Sequence, residues 1–235
     1  MKTHSLNVVS FIMYFVCAVA TACMIAPFFI DIKYSHSEKF VTGFIVFALG
    51  FIASKFRSMV SNSAKAQQIM KRTFIWLFAV YVFIIIDFTL ISESFGRNIS
   101  SIFLLDNAAA REYISDNTNF IPFETVRLFL NASNLAPYRV LENILGNFLA
   151  FMPFALFVPN IFKGVNSILK FFVFVSVTVI LIEALQLVFL SGSADIDDFI
   201  LNVSGAMTAY VLFNLNLLKG HIKNFVLGEQ NENKG

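Results

Sequence analysis

Hydrophobic residues along the chain form six long stretches separated by polar segments. A helix needs about 20 mainly apolar residues to span a bilayer, and the candidate spans are residues 8–30, 40–54, 73–91, 143–158, 168–190 and 199–218. The second and fourth are short. Lys55 and Arg57 can extend the second by snorkelling, and Pro153 is expected to kink the fourth. The pattern predicts an all-α, polytopic transmembrane helix bundle of about six spans.

The first apolar stretch has a second interpretation as a signal sequence. Lys2 precedes a long apolar run, and Ala20-Thr21-Ala22-Cys23 resembles a weak lipoprotein cleavage box. The run continues past Cys23 to Ile30. That continuation favours a helix that is retained in the membrane.

The longest segment between spans, residues 92–142, is too long for a turn and not polar enough for a simple linker. Within residues 120–135, Phe123, Val126, Phe129 and Leu130 recur at helical spacing, and Pro122 suits a first helical turn. We expect a short helix here that lies at the membrane interface on the outer side. Residues 99–105 form a second apolar dip.

The composition agrees with a membrane protein. Hydrophobic residues make up 57% of the 235 positions and charged residues 14%, with a mean hydropathy of +0.74, whereas soluble domains carry about 25% charge. Cys17 and Cys23 share one apolar stretch and provide neither a disulfide framework nor zinc spacing. The three histidines are scattered, so a histidine-based metal site is not expected. Neither a cofactor nor a nucleic-acid partner is expected.

The distribution of Lys and Arg predicts the topology. With both termini inside, eleven of the seventeen basic residues fall on the cytoplasmic side, and the remaining six lie outside, mostly in the long segment. The chain is therefore expected to be a multi-pass membrane protein with both termini cytoplasmic.

Several polar side chains interrupt the last three spans or open them. They are Asn143, Asn147, Glu183, Gln186, Asp195, Asp198 and Asn202. The predicted topology places all of them near the outer surface, where Asp87 also lies. A central Asp costs roughly 2.5–3.5 kcal/mol on insertion scales, so such residues usually face one another or water inside the bundle. They predict a polar pocket open to the outside.

Two explanations of this polar set remain open. The residues can tie helices together, and Asp195 and Asp198 can cap the last helix. Alternatively they bind a hard cation, relay protons, or bind a lipid headgroup whose phosphate contacts Arg127 or Arg139. Helix ties do not explain several acids at one depth. Because Ser191, Ser193 and Ser204 have no His or Lys partner nearby in sequence, no catalytic residue is assigned.

At these residues the chain resembles the VanZ-like family, over about residues 73–218. The matching motifs are Asn119-Phe120-Ile121-Pro122-Phe123, the run from Asn143 through Asn147 and Phe151 to Pro153, Glu183-Ala184-Leu185-Gln186, and the run from Asp195-Ile196-Asp197-Asp198 through Asn202 to Gly205. They occur in family order. The resemblance suggests three parts: residues 1–72, two N-terminal transmembrane helices and a basic cytoplasmic loop; 73–218, the VanZ-like membrane domain; and 219–235, a polar cytoplasmic tail.

The chain departs from the family pattern at two points. Relatives usually carry an Arg shortly before the Asp-Ile-Asp-Asp stretch, and residues 191–194 contain none. A Gly that usually follows the proline of the fourth span is Ala155 here. The missing Arg puts the ionic state of the acidic cluster in question.

The resemblance implies a location in the bacterial cytoplasmic (inner) membrane and a role at its outer leaflet. Named family members are linked to low-level resistance to teicoplanin-type glycopeptides, which act on cell-wall precursors outside the membrane. We therefore expect membrane lipids as partners, with a lipid-linked cell-wall precursor as a candidate ligand that would affect glycopeptide susceptibility. The alternatives are a metal-dependent enzyme acting on a lipid phosphate and a small proton-linked transporter. The scattered histidines and the lack of a basic phosphate-binding motif weigh against an enzyme.

Overall fold

A computed structural model describes residues 2–28, 30, 35–91, 107–131, 137–189 and 192–214, which are mostly helical. Six helical segments in this part of the chain are long and apolar enough to cross a membrane. They are His4–Ile25, Glu38–Met59, Ser63–Leu90, Asn143–Ile161, Ile168–Val188 and Ile196–Asn214. The predicted all-α architecture with six spans is confirmed, and the chain is a multi-pass membrane protein.

The described residues separate into two compact units, and the first ends at Ile84. Its helices are α1 (Lys2–Ile25), which runs into a 3₁₀ turn at Ala26–Phe28, α2 (His36–Met59) and α3 (Ser63–Ile86). The helix α2 is longer than the sequence predicted. The Ser35 side chain accepts the backbone N–H of Glu38, whose carboxylate accepts the N–H of Ser35, and this reciprocal capping starts the helix at its polar edge.

The second unit, Ile85–Asn214, carries the polar residues singled out above. It begins with a π-helical turn at Asp87–Ile91 and contains α4 (Asn107–Asp116), α5 (Glu124–Asn131), α6 (Pro137–Ala150), α7 (Phe154–Ile161), α8 (Ile168–Val188) and α9 (Ile196–Asn214). Two short strands, β1 (Thr118–Asn119) and β2 (Ala194–Asp195), pair in parallel, with Thr118 opposite Ala194 and Asn119 opposite Asp195. This pairing attaches the segment before α5 to the start of α9.

A packed apolar layer joins α7, α8 and α9 on the side away from the polar residues at the start of α9. Phe171 and Val175 of α8 are fully buried, as is Ala206 of α9. The rings of Phe171 and Tyr210 stack with centroids 4.5 Å apart. This layer holds the three helices together and so fixes the relative positions of their polar ends.

The fourth span is broken where the sequence predicted a kink. The helix α6 ends at Ala150, a turn covers residues 151–153, and α7 starts at Phe154. Pro153 has no N–H to donate to the preceding turn. The break leaves α6 as a short helix whose polar face can approach α9.

The segment before the fourth span differs from its prediction in two ways. The interfacial helix begins at Glu124, so the placement of Pro122 in its first turn was wrong: Pro122 lies in a preceding turn, and Phe123 has φ 65°, outside the helical region. The helix α4 was not predicted, because its sequence lacks a strong apolar stripe. The predicted apolar dip at 99–105 lies outside the described residues.

Candidate functional site

The start of α9 is built around Asp195, which is buried. Its Oδ1 accepts the backbone N–H of Asp197 at 2.8 Å, the bond that an N-cap residue makes to the second residue of a helix. A carboxylate at this position also faces the positive end of the helix dipole. The capping interpretation of Asp195 therefore describes part of what this side chain does.

Asp197 caps a different helix from the one on which it lies. Its side chain is only 1% exposed. Oδ1 accepts the backbone N–H of Phe123 at 2.5 Å, and Oδ2 accepts that of Val126 at 3.0 Å. These are the N-cap and third residues of α5, whose own N-cap side chain, a phenylalanine, cannot accept a hydrogen bond. Asp197 therefore fixes the start of α5 on α9.

A second set of bonds holds the same segment. The hydroxyl of Thr125 donates to Oδ2 of Asp195 at 2.5 Å, and Nδ2 of Asn119 donates to the Thr125 hydroxyl at 3.0 Å. Oδ1 of Asn119 accepts the N–H of Ile121 at 3.0 Å. Together with the β1–β2 pairing, these bonds connect residues 119–126 to the start of α9 at several points.

The helices α6 and α9 meet through an amide and a carboxylate. Nδ2 of Asn147 donates to Oδ1 of Asp198. Further along this contact, a methyl group added at Gly205 would lie 1.7 Å from the carbonyl oxygen of Phe148. The two backbones approach closely because residue 205 has no side chain, and the approach lets a short Asn reach a short Asp.

The polar residues of α8 reach neighbouring segments. Oε2 of Glu183 accepts the N–H of Asp195 at 3.4 Å. Nε2 of Gln186, which is buried, donates to the carbonyl oxygen of Thr89 in the π-helical turn at 3.1 Å. The π-helical turn also contains Asp87, which is 2% exposed. Thus α8 contributes one side chain toward α9 and another toward the end of the third span.

The predicted site residues are not all equally placed. Asn147 bonds to Asp198 and Glu183 bonds to Asp195, both at the start of α9, whereas Asn143 is exposed on α6. Asn202 is buried one turn below Asp198, and its Oδ1 has no hydrogen-bond partner among the described residues.

One of the two predicted headgroup contacts is described. Arg127 is exposed on α5, while the side chain of Arg139 lies outside the described part. Their assignment to a phosphate stays a prediction.

Sequence reasoning ranked Asp197 below its neighbours and missed Thr125. Both hold the 119–126 segment to α9. The motif Asn119–Phe123 was the available sequence signal. A loop before a helix start leaves backbone N–H groups that need hydrogen-bond acceptors, and another segment of the chain can supply them. The bond from the Tyr113 hydroxyl to the carbonyl oxygen of Gly192, at 3.1 Å, had no sequence signal.

The start of α9 is acidic, and its carboxylates accept hydrogen bonds from within the protein. Within the described part, Asp195 and Asp197 are held by backbone N–H groups and a hydroxyl. No group of three or more His, Cys, Asp or Glu side chains in the described residues is arranged to hold a metal ion. Because Asp195 and Asp197 are buried, the half-buried Asn147, Glu183 and Asp198 are the side chains of this region that a ligand with hydroxyl, amide or amine groups can reach.

Comparison with known proteins indicates the family. A family model described as VanZ/LLP1 matches residues 78–218, which include every polar residue of the cluster. Neither the curated proteins nor the solved structures include a match to the chain. The first two helices lie before the matched region.

Proposed function

The chain belongs to the VanZ/LLP1 family, and on that premise we propose that it binds an envelope lipid or a lipid-linked cell-wall precursor at the outer leaflet of the bacterial cytoplasmic membrane, and thereby affects glycopeptide susceptibility. In this proposal the cluster of Asn147, Glu183, Asp195 and Asp198 contacts the polar headgroup. The neighbouring residues 120–130 contact the lipid chains.

The observation that carries the proposal is an apolar surface held over buried carboxylates. Five large apolar side chains of residues 120–130 are more than 60% exposed: Phe120, Ile121, Phe123, Leu128 and Leu130. The backbone from which they project is attached to the first turn of α9, a membrane span. Exposed apolar side chains at the end of a span contact lipid rather than water.

The polar and apolar parts of this region are adjacent. The helix α5, which carries the exposed Arg127, packs against both α6 and α9. A guanidinium is suited to a phosphate, and carboxylates and amides are suited to the hydroxyl and amide groups of a sugar–peptide headgroup. A lipid that carries a phosphate, sugars and a peptide would use both kinds of contact.

The basic residues support the side on which this site acts. The eleven-to-six division of Lys and Arg favours cytoplasmic termini, and an odd number of spans before α6 then directs its N-terminal end outward. The precursors that glycopeptides bind are also outside the membrane. The resemblance to family members linked to glycopeptide resistance supports the same side.

The experiment tests charge at the cluster separately from folding. Glu183→Gln and Asp198→Asn keep shape and most hydrogen bonding. In a glycopeptide-sensitive host, the wild-type chain should reduce teicoplanin susceptibility, and both variants should lose most of that protection while remaining folded in a detergent-melting assay. Asp116→Asn, an exposed acid on α4, is the matched control and should protect like the wild type.

Two outcomes would contradict the proposal. Equal protection by wild type and both variants, with a protective wild type, would reject a charge-dependent site. Parallel loss of folded protein and of protection would show that the acids only tie helices together. Both side chains are half-buried and the replacing amides keep most of the hydrogen bonding, so a melting temperature close to that of the wild type is expected.

A proton-linked transporter is a second candidate because of Asp87. This carboxyl is 2% exposed within a π-helical turn, and such turns frequently occur at functional sites. Proton uptake into proteoliposomes that depends on the chain and disappears in Asp87→Asn would favour this function over lipid binding.

A further inference from the structure

A cavity whose walls include two arginines lies between α1, α2 and α3 of the first unit. Its volume is about 390 Å³, within the range of small-molecule sites. It is lined by Tyr14, Ala18, Arg57, Ile69, Arg72, Thr73 and Trp76. The wall is therefore mostly apolar, with the arginines and the two hydroxyl-bearing residues contributing its polar part.

The orientation of the polar groups in the cavity is set by neighbouring side chains. Nη1 of Arg57 donates to Oδ1 of Asn7 at 2.7 Å, which uses one of the five N–H groups of the guanidinium. The hydroxyls of Tyr14 and Thr73 are 3.3 Å apart. Hydroxyls can donate or accept, whereas guanidinium groups only donate, so the cavity favours a ligand rich in acceptor oxygens.

The described residues of the first unit offer these arginines few acidic partners. Asp31 and Glu38 are the only acidic residues in the sequence before Asp87. The Glu38 carboxylate accepts from Ser35 at the N-terminus of α2, whereas Arg57 is in the last turn of that helix, roughly 28 Å away at 1.5 Å per residue. The charge of the cavity is therefore not neutralised by Glu38.

On α3, the cavity lies where the helix passes from polar to apolar residues. Residues 63–72 of α3 are mostly polar, and an apolar run starts at Thr73. The cavity lies across this boundary, from Arg72 to Trp76. Trp and Tyr are enriched at membrane interfaces. A methyl group added at Gly50 would lie 2.6 Å from Cζ3 of Trp76, so the indole ring is seated against α2 as a wall of the cavity.

We propose that this cavity binds the phosphate group of an anionic membrane lipid. Arg57 and Arg72 contact the phosphate oxygens, the hydroxyls of Tyr14 and Thr73 contact the phosphate or the glycerol, and Ala18, Ile69 and Trp76 contact the upper part of the acyl chains. The site is independent of the proposed outer-leaflet function.

Native mass spectrometry with defined lipids tests the proposal. Dioleoylphosphatidylglycerol and dioleoylphosphatidylcholine are titrated onto the delipidated full-length chain. We expect the wild type to prefer phosphatidylglycerol, and Arg57→Gln with Arg72→Gln to weaken its binding about 30-fold. Lys65→Gln with Lys71→Gln removes the same charge from exposed positions outside the cavity and should change binding less than about twofold.

A second variant keeps the test valid if the double arginine variant does not fold. Ala18→Leu fills the cavity from an exposed helix position without altering charge, and it should weaken phosphatidylglycerol binding with little change in melting in lipid-free detergent. Equal binding of the two lipids by the wild type, or equal losses in the arginine and lysine variants, would overturn the proposal. Displacement of the lipid by soluble glycerol phosphate at matched concentration would show that the ligand is a free phosphate ester, and would also overturn it.

Discussion

The carboxylate of Asp197 accepts the backbone N–H of Phe123 at 2.5 Å, across 74 residues of sequence. Phe123 occupies the N-cap position of α5, where a Ser, Thr, Asp or Asn side chain ordinarily accepts the first free N–H groups. Here the acceptor comes from α9. The cap is therefore also a tertiary contact, and it determines where the apolar residues 120–123 project.

Replacing Asp197 should weaken the attachment of α5 to α9, while the helices stay packed. Asp197→Asn keeps one acceptor oxygen but presents an NH₂ group to the second backbone N–H, so one hydrogen bond to a charged group is lost. Such bonds contribute roughly 1.5–3 kcal/mol. We expect a loss of that size in an SDS-unfolding titration and faster proteolysis within residues 107–131. Asp116→Asn, on the exposed side of α4, should change stability by less than about 0.5 kcal/mol; equal effects of the two changes would contradict the capping role.

Two glycines of the second unit should respond oppositely to alanine. A Cβ at Gly205 would meet the carbonyl oxygen of Phe148 at 1.7 Å, whereas a Cβ at Gly146 has no neighbour within 4 Å. Gly205→Ala must force α6 and α9 apart, at a cost of about 1–3 kcal/mol or more. Gly146→Ala should be neutral or stabilising by up to about 1 kcal/mol, because alanine is the better helix former. Unfolding titrations that rank the two variants the other way would refute the close approach of α6 and α9.

The sequence predicted the spans well because apolar length is a local property. It predicted the break at Pro153 for the same reason, since the missing N–H acts within one helix. It also identified Asn147, Asp198 and Glu183 as polar residues at one depth, although their partners depend on packing. The sequence predicted a short helix in this segment, but not where α5 starts or that it is attached to α9. Its N-cap is a phenylalanine, and its capping carboxylate is remote in sequence. The predicted topology placed Arg57 and Arg72 on the basic side of the membrane but did not indicate that they line a cavity.

Cysteine labelling should determine the orientation of the spans. In a background with Cys17 and Cys23 replaced, a cysteine at Ser193 or Ser115 should react with a membrane-impermeant maleimide added outside intact cells, because both positions are exposed and lie on the predicted outer side. A cysteine at Ser63, before the third span, should react only after the membrane is opened. Labelling of Ser63 alone in intact cells would move the acidic cluster to the cytoplasmic face.

The apolar side chain of Phe120 should lie within the lipid. Trp76 is the only tryptophan of the chain, so Phe120→Trp in a Trp76→Phe background gives a single fluorophore. Lipids brominated near the headgroup should quench it strongly, and lipids brominated near the chain end less. Ala64→Trp, an exposed position at the polar start of α3, should show little quenching by either. Equal, weak quenching at both positions would place residues 120–123 in water.

The most direct test of lipid binding at the acidic cluster is native mass spectrometry with a purified lipid-linked peptidoglycan precursor. The measurement uses the Arg57→Gln, Arg72→Gln background, which removes the proposed phospholipid site. We expect this protein to retain the precursor in preference to phosphatidylglycerol, and addition of Asp198→Asn to weaken that binding at least about tenfold. Addition of Asp116→Asn should leave it unchanged. Precursor binding that is no stronger than phosphatidylglycerol binding, or that is identical with and without Asp198→Asn, would contradict the proposed function.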